Sequence, residues 1–98
     1  MDQAFTIVSK IVAKPGKADA LKPVLQGLLT PSRNDDGCLL YDLHQSIEDP
    51  NVFLFYETWQ SKAQWEKHMA TPHLQALNAF FEAEDVVAQS ELLQMQKI

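Results

Sequence analysis

Apolar and polar positions alternate in two periods along this 98-residue chain, and the changes of period mark out its elements. From Phe5 to Ala13 the run F-T-I-V-S-K-I-V-A is rich in β-branched residues and predicts a strand, closed by Pro15-Gly16. Leu21, Val24, Leu25 and Leu28 then recur at helical spacing and predict a helix over 18–29. Pro23 is compatible with that helix only in its first turn or two, where a missing N–H costs little. Thr30-Pro31 and Asn34-Asp35-Asp36-Gly37 read as a turn-rich connection. Two apolar strands, Cys38 to Ile47 and Val52 to Trp59, flank Glu48-Asp49-Pro50-Asn51 and predict an antiparallel hairpin. Ser61 with Gln64 three residues on spells a capping box for a helix reaching about Ala70. Thr71-Pro72 restarts a helix, with proline at its first position, to about Ala83. Val86 to Met95 is open between two readings: Val86 and Val87 favour strand, whereas Glu91 to Met95 suits a helix.

With a final strand the order is β-α-β-β-α-β. Right-handed crossovers then predict a ferredoxin-like α+β sandwich, an antiparallel sheet with both helices on one face. Phe53, Phe55 and Trp59 point to one side of the hairpin, and Val52, Leu54 and Tyr56 to the other. Phe5, Ile7 and Ile11 likewise oppose Val8 and Val12. Both faces are apolar, yet helices cover only one, and an uncovered apolar face exceeds what a monomer usually exposes. A homodimer packed through the sheet faces is the expected remedy.

Composition narrows the function classes. The length suits one domain over residues 1–98, and 46% apolar residues suffice for a core. The net charge is −5 and the basic residues stand singly, which argues against nucleic acid as a partner. The longest strongly apolar run, Val52 to Tyr56, falls far short of the roughly 20 residues that span a bilayer. Met1-Asp2-Gln3 lacks the basic start of a signal peptide, so a cytoplasmic protein without membrane association is expected. Cys38 is the single cysteine, which leaves no internal disulfide or cysteine metal site. Three glycines, Gly16, Gly27 and Gly37, form no phosphate loop or dinucleotide fingerprint.

The candidate chemistry gathers between Tyr56 and Leu77, where Glu57, Trp59, Trp65, His68 and His73 surround two helix ends. His68 belongs to the last turn of its helix, where the macrodipole favours imidazolium; His73 belongs to the first turn of the next, where it favours the neutral ring. The pair suits an acid and a base, or else two capping or surface residues. Trp65, His68 and Met69 share a stripe that turns His68 toward the sheet. Glu57 stands among bulky apolar residues and, if inward, needs a partner across a dimer or a role on substrate. Trp59, Trp65 and Tyr56 are candidate pocket walls, with plain core packing the alternative for the tryptophans. His44, alternating with Leu43, faces either the cavity or a dimer partner. A two-histidine metal site completed by Glu57 is conceivable. The five-residue step from His68 to His73 across a helix break, however, does not put both rings on one helical face, and no metal is expected.

Gly37-Cys38, Tyr41, Asp49-Pro50, Phe55-Tyr56-Glu57-x-Trp59, His68 and Thr71-Pro72-His73, led by Lys14-Pro15-Gly16-Lys17, resemble the antibiotic biosynthesis monooxygenase family. The resemblance implies a ferredoxin-like subunit that pairs into a dimeric α/β barrel. It also implies oxidation of a small hydroxylated aromatic or quinol with O₂ and no bound cofactor, with His68, His73 and Glu57 as catalytic candidates. Tyr56, Trp59, Trp65 and His44 are then the substrate-binding candidates. In haem-degrading relatives the working residues fall at the positions of Ser9, His68 and Asn78 here, and no histidine stands where the axial ligand is needed. Isomerase-like processing of a small metabolite needs the same acid and base without O₂. A non-catalytic dimeric ligand-binding or stress-associated module is the remaining alternative.

Overall fold

The computed structural model describes residues 4–98, whose regular elements begin with the strand β1 (Phe5–Ala13). Then come the helices α1 (Ala18–Gln26) and α2 (Leu29–Arg33) and the hairpin β2 (Cys38–Gln45) and β3 (Val52–Trp59). Two further helices, α3 (Lys62–Met69) and α4 (Pro72–Ala83), precede β4 (Val87–Gln96). The strands form one sheet in the order β2-β3-β1-β4 with every neighbouring pair antiparallel. This is the ferredoxin-like α+β arrangement anticipated from the element order. The last stretch is a strand throughout, because β1 would otherwise present a row of unpaired backbone groups; β4 pairs with it from Phe5↔Gln96 to Ala13↔Val87.

Register decides which side chains meet. Ile7 lies opposite Glu57, which in turn lies opposite Tyr41; Ser9 lies opposite Phe55 and Ile11 opposite Phe53. These residues share the helix-covered face. There Ile7, Ile11, Tyr41, Phe53, Phe55 and Trp59 pack with Leu21 and Leu25 of α1, Trp65 of α3, and Leu74 and Leu77 of α4. Each large apolar side chain so buried stabilises the fold by roughly 1.5–3 kcal/mol. The other face carries Val8 between Tyr56 and Leu93 and, one row on, Thr6 beside Met95. Tyr56, Leu93 and Met95 there are 42%, 42% and 49% exposed. The two-sided apolar pattern of the strands therefore produces one core face and one open apolar face.

Two local departures bear on the site. The first helix stops at Gln26, and the segment expected to be a turn around Thr30-Pro31 is the separate helix α2. Pro31 falls in its first turn, where no N–H is required, so proline does not oppose helix there. Of the capping box, one half forms: Ser61 Oγ accepts from the Gln64 N–H at 3.3 Å. The Gln64 side-chain oxygen lies against Gly37 instead of reaching back, and has no hydrogen-bond partner among the described residues.

Candidate active site

The loop between α2 and β2 brings a carboxylate to the helix ends. The Asp35 N–H donates to the Ser32 carbonyl at 3.1 Å, and the Asp35 carbonyl accepts from Cys38 N–H at 3.2 Å. Gly37 ends the turn at φ +82°; a Cβ there would stand 2.1 Å from Gln64 Oε1, so glycine lets the loop lie directly on α3. As a result Asp35 Oδ2 is 2.8 Å from His68 Nδ1 and 2.8 Å from His73 Nε2. Thr71 was expected to cap α4. Its side chain makes no such bond, and its hydroxyl donates instead to the His68 carbonyl at 2.6 Å, tying the end of α3 to the restart. Thr71 Oγ1 also lies 3.2 Å from His73 Nε2.

His68 is 1% exposed, packed on Trp59 with ring centroids 4.5 Å apart and edge-on to Tyr41 at 5.4 Å. Burial holds its imidazole below the usual histidine range; the hydrogen bond and charge of Asp35 oppose this only in part. The expectation of a favoured imidazolium from the helix end is thus overturned. A helix terminus is worth about 0.3–1 kcal/mol at a surface, whereas desolvating a buried charge can move a pKa by several units.

Glu57 also turns inward, and its partner is within its own strand: Trp59 Nε1–H donates to Glu57 Oε1 at 2.9 Å. The carboxyl is 5% exposed, and burial pushes its pKa up to about 7, the indole hydrogen bond working weakly the other way. Tyr41 beside it is raised far above the usual tyrosine range by burial first and by Glu57 second, so its phenol remains a neutral donor.

These groups face a cavity of about 210 Å³ between the sheet and α4. Glu57, Tyr41 and His68 supply polar groups; Phe55, Trp65, Met69, Leu74 and Leu77 supply the apolar wall, and Ser9 of β1, Asn78 of α4 and Ser90 and Leu92 of β4 also line it. A dry cavity of about 150 Å³ takes up benzene, so this one has room for a single substituted ring.

Of the expected site residues, His68, Glu57 and Trp65 line the cavity. Trp59 does not; it lies fully buried behind Glu57 and His68 as their support. His73 sits outside the cavity, over a groove with Pro23, Val24 and Leu28, because the α4 restart carries it past the mouth. Tyr56 and His44 are both exposed on the open sheet face, since the strand period of two puts them opposite Glu57 and Leu43. Asp35 is the residue sequence reasoning passed over. In Asn34-Asp35-Asp36-Gly37 it looks like any turn aspartate, and its partners stand 33 and 38 positions away. The two imidazoles, which their helix break was expected to separate, meet at this carboxylate with ring centroids 5.8 Å apart. The donor atoms of Asp35, His68 and His73 lie within 4.8 Å of one another, a spacing that a metal ion can also use, with Asp35 in place of the weighed Glu57.

Residues 4–79 match the family described as antibiotic biosynthesis monooxygenase. A Mycobacterium tuberculosis protein provisionally named a monooxygenase is 30% identical over 73 residues, which take up 74% of this chain and 71% of that protein. An uncharacterised Synechocystis protein is 31% identical over 72 residues, 74% of this chain but only 49% of that relative, so the match spans about half its length. The crystal structure of a Pseudomonas aeruginosa protein superposes with a TM-score of 0.93 at 35% identity, covering 100% of this chain and 97% of that one.

Proposed function

Because the chain belongs to the antibiotic biosynthesis monooxygenase family, we propose that its cavity oxidises a small hydroxylated aromatic or quinol with O₂ and without a bound cofactor. The observation that carries this reading is the pairing of Glu57 and His68 in one apolar cavity. Burial moves their pKa values in opposite senses, so that near neutral pH one still holds a proton and the other has room for one.

In this scheme the neutral His68 takes the phenolic proton. The electron-rich anion passes one electron to O₂, and the two radicals join at a ring carbon ortho or para to the oxygen that still bears hydrogen. Glu57 gives its proton to the distal peroxide oxygen. Loss of the ring C–H proton to the Glu57 carboxylate then breaks the O–O bond and leaves a second carbonyl. The departing hydroxide takes the proton held on His68 and leaves as water. One oxygen atom enters the quinone and the other enters water. The substrate supplies all the electrons, and both side chains return to their starting states. Tyr41 donates to the developing oxyanion, while the apolar wall keeps the anion out of water. His73 acts outside the cavity, and a homodimer joined through the open sheet face completes the reading.

Oxygen uptake over a panel of small phenols and quinols tests it. Glu57→Gln and His68→Asn are each expected to cut substrate-dependent uptake by about 10²–10⁴-fold. The wild-type rate should fall as pH rises through about 7, where Glu57 gives up its proton. Absence of uptake by the wild type, or full uptake by both variants, would overturn the oxygenase reading. Turnover of a substrate without O₂ consumption would support the isomerase-like alternative.

A further inference from the structure

We propose that Asp35 is a positioning residue that locks His68 in the tautomer with hydrogen on Nδ1 and so presents the Nε2 lone pair to the cavity, with His73 as the second donor that pins the carboxylate. The inference rests on the acid–base reading of the cavity, since it assigns the state in which His68 accepts a proton.

The geometry is one-directional. A carboxylate has only lone pairs to offer, so an imidazole nitrogen 2.8 Å from Asp35 Oδ2 must bring the hydrogen. Among the described residues Asp35 is the only hydrogen-bond partner of the His68 ring, and His68 itself lines the cavity. Hydrogen on Nδ1 therefore leaves Nε2 as the acceptor on the substrate side, the tautomer being set by the partner of the other nitrogen. Without that partner a neutral ring favours hydrogen on Nε2, which cannot take a phenolic proton.

His73 explains how the carboxylate is held. Its Nε2 meets the same Oδ2 at 2.8 Å, so the oxygen is fixed between two imidazoles while the loop main chain is fixed at Ser32 and Cys38. His68 and Asp35 are 1% and 17% exposed at their side chains and His73 is 20%, so the array runs from the cavity toward the surface. A metal ion is the rival occupant of this cluster, and it would demand the opposite tautomer. Binding through His68 Nδ1 strips that nitrogen of hydrogen and leaves it on Nε2.

Long-range ¹H–¹⁵N NMR of the histidine rings in the free, metal-analysed wild-type protein at pH 8 decides between them without any substrate. The Nδ1–H form of His68 is expected in the wild type, the Nε2–H form in Asp35→Ala, and the Nδ1–H form again in Asp35→Asn, whose side-chain oxygen still accepts. On any substrate the wild type turns over, Asp35→Ala should lower kcat about 10- to 100-fold with KM little changed, and Asp35→Asn should recover most of the loss. An Nε2–H His68 in the wild type, a tautomer unchanged in Asp35→Ala, or stoichiometric zinc on these three residues would each overturn the proposal. Because the wild-type spectrum needs no turnover and no variant, an inactive protein would defeat the oxygenase reading while leaving this test intact.

Discussion

Glu57 shows how much one carboxylate can be changed by its surroundings. Its row neighbours are Ile7 and Tyr41, and its one hydrogen-bond partner among the described residues is the Trp59 indole, which can donate but carries no charge. The folded protein therefore holds a proton up to about pH 7 that the unfolded chain releases near 4.5. Between those values the unfolded state binds fewer protons, so stability falls as pH rises, by roughly 3 kcal/mol in all. His68 has the opposite sign: its lowered pKa makes stability fall as pH drops below the usual histidine range. Glu57→Gln keeps an oxygen for the Trp59 N–H and removes the titration. Urea unfolding at pH 5 and pH 7.5 is expected to show the variant gaining on the wild type at the higher pH. An equal difference at both values would mean that Glu57 is not buried as described.

At the scale of elements, the site exists because two helix ends and one loop are forced together. Ser61 starts α3, Pro72 restarts α4, and the Thr71 hydroxyl joins them through the His68 carbonyl. The loop carrying Asp35 can lie on α3 only through Gly37. Gly37→Ala is expected to destabilise the protein by more than Gly16→Ala, although both glycines have positive φ (82° and 77°). Each substitution costs about 1–2 kcal/mol for the left-handed backbone. At Gly16 an added Cβ meets nothing within 4 Å, whereas at Gly37 it meets Gln64 at Oε1, Cδ and Cβ. Equal losses in denaturant titrations would show that the loop does not press on α3.

For the whole molecule the open sheet face is the outstanding feature. Leu54 belongs to that face, opposite Lys10 and His44 and outside the core, whereas Phe55 next to it is buried among the helices. The proposed dimer predicts that Leu54→Glu yields a folded species at the 11.1 kDa chain mass in light scattering, where the wild type reads twice that mass. Phe55→Glu is expected instead to abolish folding, because it buries an unpaired charge. A wild type that already scatters as 11.1 kDa would remove the dimer. The described residues form no helix long and apolar enough to cross a membrane.

Period and punctuation in the chain determined most of the elements, the covered face and the position of the helix break, because alternation, proline and cap residues act on their immediate neighbours. The helix period turned Trp65 and His68 toward the sheet, whereas the strand pattern left the direction of Glu57 open, and Tyr56, a candidate pocket wall, lies on the open face instead. The same local signals left the last strand undecided, since Glu91 to Met95 suits helix locally and becomes strand only when β1 offers an edge to pair with. They also missed α2 and kept His73 in the pocket. The union of Asp35 with His68 and His73 was out of reach of sequence reading: a turn aspartate acquires partners 33 and 38 residues away only when the loop folds over α3. The protonation states were likewise decided by tertiary structure, because burial outweighs the helix-end field that position alone reveals.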